Sequence, residues 1–175
     1  IAIGGQGQSI SYAPDGTVTV GVLNADLGGA AQFTGQTVAG DLASGETDLY
    51  AFSIRQSEID AVTGSALIVR VALTADVGLM LADPAVSGLT PLSVERFGNT
   101  TTALFAVEHE GLYRLSVAAT SGSGNYQIAL SAGGDVNLDG RVDGVDSAQV
   151  QSAAPGTDVT GDGLTDAADR QVMYA

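Results

Sequence analysis

The chain has 175 residues with a formal net charge of −14 at pH 7, and it contains neither lysine nor cysteine. That length allows one sizeable domain plus a small one. The charge excludes nucleic-acid binding and repels anionic membranes unless calcium bridges the two. The missing cysteine excludes disulfides, thiolate zinc sites and a cysteine nucleophile.

No apolar run reaches the roughly 18 residues that a spanning helix needs, so no membrane insertion is expected. The chain starts at Ile1 without a signal-like charged and apolar pair, and it is expected to be a piece of something longer. Its 24 glycines and its wealth of Ala, Val, Thr and Ser favour an all-β domain with tight turns.

Taken in chain order, Gly4-Gly5-Gln6-Gly7 is a flexible start, since it lacks the lysine of a phosphate loop. Ile10–Leu23 adds a strand or hairpin, and Asn24–Gln32 reads as a loop. Short apolar runs then recur at intervals that suit a sandwich. The expected strands are Val18–Leu23, Thr37–Leu42, Leu49–Ile54, Ala66–Leu73, Gly78–Leu81, Thr102–Val107, Leu112–Ala118 and Tyr126–Leu130.

Tyr50, Phe52 and Ile54 share one large apolar face, and the odd positions of Leu67–Leu73 point inward with Arg70 outward. Leu112, Tyr113, Leu115 and Val117 are read as the apolar set of the next long strand, with Arg114, Ser116 and Ala118 outside. Turn signals separate the runs: Ser44-Gly45, Thr63-Gly64, Asp83-Pro84, Ser87-Gly88, Gly98-Asn99, Glu110-Gly111 and Ser121-Gly122. Eight or so antiparallel strands closing two sheets on each other give a mainly β, jelly-roll-like sandwich over residues 1–133.

From Gln36 to Ser131 the signals resemble the bacterial pre-peptidase C-terminal domain. The matching stretches are Gly40-Asp-Leu with Asp48-Leu-Tyr50-Ala-Phe52, Leu67–Leu73, Gly78–Asp83, Gly111-Leu-Tyr113-Arg-Leu-Ser-Val117 and Ser123-Gly124-Asn-Tyr126-Gln-Ile128. The resemblance implies a non-catalytic β-sandwich attached to secreted hydrolases and surface proteins.

No catalytic set emerges, and no enzyme is expected. His109, the single histidine, sits between Glu108 and Glu110 before a turn, where a solvated hairpin is its simplest setting. Nothing in the spacing of Asp48, Asp76, Asp83, Glu95 and Glu108 selects a glycosidase pair. Polysaccharide binding would need ring platforms. The chain has no tryptophan, and Tyr12 and Phe97 are its plausible exposed rings, whereas Tyr50, Phe52, Phe105, Tyr113 and Tyr126 read as core.

Residues 134–175 differ in kind. They carry the same acidic phrase twice, 23 positions apart: Asp135, Asn137, Asp139, Gly140, Arg141, Asp143 and Asp146, then Asp158, Thr160, Asp162, Gly163, Leu164, Asp166 and Asp169. Oxygen-bearing side chains fall at positions 1, 3, 5, 9 and 12 and glycine at 6, the ligand grammar of a twelve-residue Ca²⁺ loop. Ca²⁺ is hard and takes six to eight oxygens at about 2.3–2.6 Å. Position 7 (Arg141, Leu164) supplies only its carbonyl. Thr160, a neutral hydroxyl at position 3, makes the second loop the poorer site. A merely disordered acidic tail does not explain two glycines at the same loop position.

Each loop leads into one helix, with no comparable helix before it. This duplicated half-motif resembles a type I dockerin, a small α-helical, half EF-hand calcium module. The resemblance implies two Ca²⁺ ions that fold the module and helices that dock on a cohesin-type domain. Positions 10 and 11 here are Gly144-Val145 and Ala167-Ala168, not the Ser-Thr type pair of well-known members, and the linker is only about residues 154–157. The combined expectation is a non-catalytic, extracellular or cell-surface segment: a spacer sandwich with a tail that binds two Ca²⁺ and mediates assembly. The alternatives are a calcium-stabilised cap, which would bury Val142, Val145, Val172 and Met173 against the sandwich, and a carbohydrate-binding accessory module.

Overall fold

Alternation along the apolar runs decides the architecture. In a strand, side chains i and i+2 share a face, so Tyr50, Phe52 and Ile54, or Val69, Val71 and Leu73, all present their bulk to one side. The computed structural model describes residues 7–12, 18–23, 25–29, 37–60, 66–137, 142, 144–154 and 157–172, with backbone pairing alone over 7–29.

In chain order the elements are β1 (Gly7–Tyr12), β2 (Val18–Leu23), β3 (Ala25–Gly29), β4 (Thr37–Leu42), β5 (Thr47–Ile54), α1 (Gln56–Ile59), β6 (Leu67–Ala75) and β7 (Met80–Leu81). Then come β8 (Ala85–Val86), β9 (Pro91–Phe97), β10 (Thr100–Val107), β11 (Gly111–Ser121), β12 (Gly124–Ala132), α2 (Gly144–Gln151) and α3 (Ala167–Val172).

The fold is mainly β, with antiparallel sheets forming a β-sandwich. One five-stranded sheet runs β4-β12-β6-β10-β9. The other runs β3-β5-β11-β7, with β8 also on β11, and β1 pairs with β2 as a separate ribbon. A single core lies between the large sheets. It takes Val69, Val71, Leu73, Phe105, Val107, Ile128 and Leu130 from the first, and Tyr50, Phe52, Ile54, Leu115 and Val117 from the second.

Phe52 and Tyr113 stack with centroids 5.6 Å apart, and Tyr50 meets Tyr126 edge-on across the gap. The Tyr126 hydroxyl donates to Asp48 Oδ2 and is also hydrogen-bonded to the Tyr50 hydroxyl, so a buried polar chain crosses the core. Burial, followed by the bonds to Asp48 and Tyr50, pushes the Tyr126 pKa far above its ordinary 10.0. Burial also raises Tyr50.

The expected strands are present, most of them longer than expected, and β2 and β4 have the expected bounds. Three expectations need correction. Residues 25–29, read as a loop, form β3, which pairs in parallel with β5. Residues 91–97 form β9, a strand with no apolar alternation to announce it, because it lies at a sheet edge and is largely exposed. Leu112 faces out at 64 % exposure, and the inward phase of β11 is set by Leu115, Val117 and Ala119. The Thr63-Gly64 turn and the Gly4–Gln6 start lie outside the described residues.

The register shows what the outer face of the β4-β12-β6-β10-β9 sheet looks like. Ser131 stands opposite Arg70, Arg70 opposite Leu104, and Leu104 opposite Ser93. The next row is Ala129, Ala72, Thr102 and Glu95, and the one after it Gln127, Thr74, Thr100 and Phe97. Directly paired residues share a face, so these rows form one surface of mostly small side chains. Ala72, Thr102, Leu104 and Ser131 on it are nonetheless buried. Something covers them.

Candidate metal centre

The cover is the acidic tail. Arg70 Nε donates to the Val159 carbonyl at 3.0 Å, and a second guanidinium nitrogen reaches the Asp158 carbonyl at 3.4 Å. Gly161 lies on Thr102, and Gly163 lies on the Phe97 ring. Loop 2 (residues 158–169) thus steps across β6, β10 and β9 two residues at a time. A Cβ at either glycine would collide with the sheet, and both have positive φ, +84° and +88°. Glycine is therefore required twice over at each. The sequence grammar explains Gly163 as the sharp turn of position 6, but not Gly161 at position 4. Gly133, at the start of the tail, packs against Ile68, and Val172 lies just beyond.

Within loop 2 each carboxylate is held by N–H groups of its own loop. Asp158 Oδ1 accepts from Gly161 N at 2.6 Å, and its Oδ2 from Gly163 N at 2.8 Å. Asp162 Oδ1 accepts from Leu164 N. Asp169 Oδ1 accepts from Val159 N (2.8 Å), Thr160 N (3.0 Å) and the Thr160 hydroxyl (3.1 Å).

Asp166 and Asp169 also start α3. Asp166 Oδ1 accepts from Ala168 N, and Asp169 Oδ2 accepts from Asp166 N. This is the reciprocal pattern of a capping box, with Asp in place of Glu. Positions 9 and 12 thus have a helix-capping role of their own.

Loop 1 (residues 135–146) repeats the key contact. Asp146 Oδ1 accepts from Val136 N at 3.0 Å and Asn137 N at 3.2 Å, the counterparts of Val159 and Thr160. Asp146 and Asp169 are both 0 % exposed, and Asp135 is also buried. Both helices begin at loop position 10. The expected ligands Asp139, Arg141 and Asp143, with Gly140, lie outside the described residues, as do Pro155, Gly156 and Met173.

A polar cavity of ≈ 80 Å³ lies between the first residues of the two loops, lined by Arg70, Ser131, Asp135, Val136, Asp158 and Val159. Burial lowers the Arg70 pKa, and the negative charges of Asp158 and Asp169 oppose that.

Among the described residues no three His, Cys, Asp or Glu side chains gather closely enough to hold an ion between them. The donor chemistry fits a hard cation all the same. Asp158, Thr160, Asp162, Asp166 and Asp169 with the Leu164 carbonyl offer oxygen alone. Each carboxylate keeps acceptor capacity beyond the N–H bonds it takes within the loop.

Sequence reasoning missed Arg70 as part of this region. It placed Arg70 correctly on the outer face of β6, but alternation does not say what lies on that face. His109 and Glu108 are exposed in a bend, and the His109 carbonyl accepts from the Tyr113 hydroxyl. Phe97, the ring offered for sugar binding, is engaged with Gly163 on one side. The side chain of Tyr12 lies outside the described residues.

No protein-family model and no curated protein matches the chain. Among solved structures it is similar to PliG of Salmonella Typhimurium, a periplasmic lysozyme inhibitor of g-type lysozyme. The identity is 18 %, the TM-score 0.38, and the match covers 57 % of this chain and 87 % of that one. No helix among the described residues is long and apolar enough to cross a membrane.

Proposed function

We propose that this is a secreted, non-catalytic segment in which a β-sandwich of the pre-peptidase C-terminal kind carries a dockerin-like tail that binds two Ca²⁺ ions and serves as a calcium-stabilised cap. The observation that supports it best is the repeated environment of Asp146 and Asp169. Two carboxylates 23 residues apart, both fully buried, take the same pair of N–H donors from positions 2 and 3 of their loops. A buried carboxylate is costly unless compensated, and a duplicated one in an oxygen-rich loop is a ligand for a hard cation.

The cap reading rests on the contacts of loop 2 with Arg70, Thr102 and Phe97. These come from loop backbone; of the side chains expected to carry them, Val142 and Val145 are 38 % and 54 % exposed, Val172 lies near Gly133, and Met173 is outside the described residues. That exposure favours a second reading: with loop 2 on the sheet, α2 stays open to a cohesin-type partner.

Extracellular calcium is abundant, so modest affinity suffices there. A site filled at a hundred times its Kd adds about 2.7 kcal/mol to stability. Calorimetric titration of the full chain with Ca²⁺ is expected to give two sites, and Asp169→Asn one. Zero sites in the parent chain would end the proposal. Capture of a cohesin-type domain, lost on Val145→Glu, would move the conclusion from cap to adaptor.

A further inference from the structure

Arg70 is a cation that the sandwich itself supplies to loop 2. Its guanidinium is half-buried on the outer face of a central strand and donates to the carbonyls of loop positions 1 and 2. Those same two residues frame the site. Asp158 is the first ligand, and Val159 N donates to the twelfth, Asp169. Two residues further on, Gly161 packs so closely on Thr102 that a Cβ there would collide with its side chain. The entry strand of the loop is therefore held by the sheet at the point where the first and last ligands meet.

We infer that Arg70 is a positioning residue that couples filling of calcium loop 2 to the β6-β10 region of the sandwich. The inference rests on the calcium reading above. Coupling needs an element whose arrangement both sites bias, and the Asp158-Val159 segment is that element. When the segment sits on Arg70, the Asp158 carboxylate and the Val159 N–H are pre-placed for the ion. When an ion holds them, the segment is pinned to the sheet. By reciprocity, calcium should protect sheet amides that never touch it, and removal of Arg70 should weaken that protection without abolishing metal binding.

The test is amide hydrogen exchange of the full chain at residues 67–75 and 100–107, with and without Ca²⁺, in the parent and in Arg70→Met, with calorimetry to count bound ions. In the parent, calcium is expected to slow exchange in both strands by about tenfold. In Arg70→Met two ions still bind, loop 2 more weakly, and the calcium-dependent slowing drops below about threefold.

A purely structural role for Arg70 would speed exchange equally with and without calcium, leave the tenfold increment intact, and overturn the inference. If Arg70→Met does not fold, Arg70→Lys decides. It keeps the charge but cannot span both carbonyls, so the same loss of increment is expected and an intact increment overturns the claim. A parent chain that binds no calcium sinks the earlier reading and this inference together, a result distinct from two bound ions with no coupling.

Discussion

The two faces of the β4-β12-β6-β10-β9 sheet are buried by different means. The inner face is covered by large aliphatic and aromatic side chains from the facing sheet, around Val69, Val71, Phe105 and Ile128. The outer face offers Ala72, Thr102 and Ser131 and is covered by backbone, since loop 2 lies across it through glycines. The first cover is apolar and intrinsic to the sandwich. The second is an acidic segment whose carboxylates accept N–H groups of their own loop. A strand such as β10, buried on both faces, therefore has one apolar and one acidic neighbour.

Substitutions on the two faces should separate in size and in calcium dependence. Phe105→Ala, on the inner face, is expected to cost about 3–5 kcal/mol in urea unfolding whether or not calcium is present. A marked calcium dependence would blur the distinction. Gly161→Ala, under the outer cover, places a Cβ against Thr102 and forces alanine into positive φ. It should cost roughly 1–3 kcal/mol and show as faster exchange at Thr102 and Leu104, with inner-face amides little changed.

The tyrosine chain allows a pH test of the core side. In the unfolded chain Tyr126 ionises near 10.0, whereas in the fold its pKa lies well above that. Above that pH the unfolded state binds fewer protons than the folded one, so stability that is whole below it falls as pH rises. The slope is about 1.4 kcal/mol per pH unit for each such tyrosine. Urea midpoints from about pH 9 to 11 should trace that decline, and Tyr126→Phe should make it shallower while leaving the contributions of Tyr50 and Tyr113, which burial also raises. Smallest of all, Leu112→Ser, exposed on the other sheet, should change stability by no more than about 0.5 kcal/mol.

Much of the inner face was legible in the sequence, because alternation is a direct record of which side chains leave water. β5, β6, β11 and β12 announce themselves this way, and β2 and β4 fall where expected. β9 does not, since Leu92, Glu95, Arg96 and Phe97 stay exposed and no period-2 burial marks it. β3 does not either, because its partner β5 is distant in sequence and parallel, with no turn between them to read.

The repeat in the tail was legible in the sequence, and Asp146 and Asp169 take matching N–H donors in the two loops. The tail's seat on the sheet was not legible. Arg70 in a strand reads only as a side chain that avoids the core, and Gly161 reads as one more glycine in a glycine-rich chain. Only the register that sets Arg70, Thr102 and Phe97 on one surface gives those residues a shared purpose.

The position of β9 at the rim has a consequence for self-association. A bare rim strand offers unused N–H and C=O groups on which a foreign chain can polymerise. Here the rim opens with Pro91, which has no N–H to give, carries Glu95 and Arg96 as adjacent opposite charges, and slips register against β10 between Leu104 and Phe105. An incoming strand therefore meets a broken, charged template, and the sandwich is guarded against fibril growth from that side.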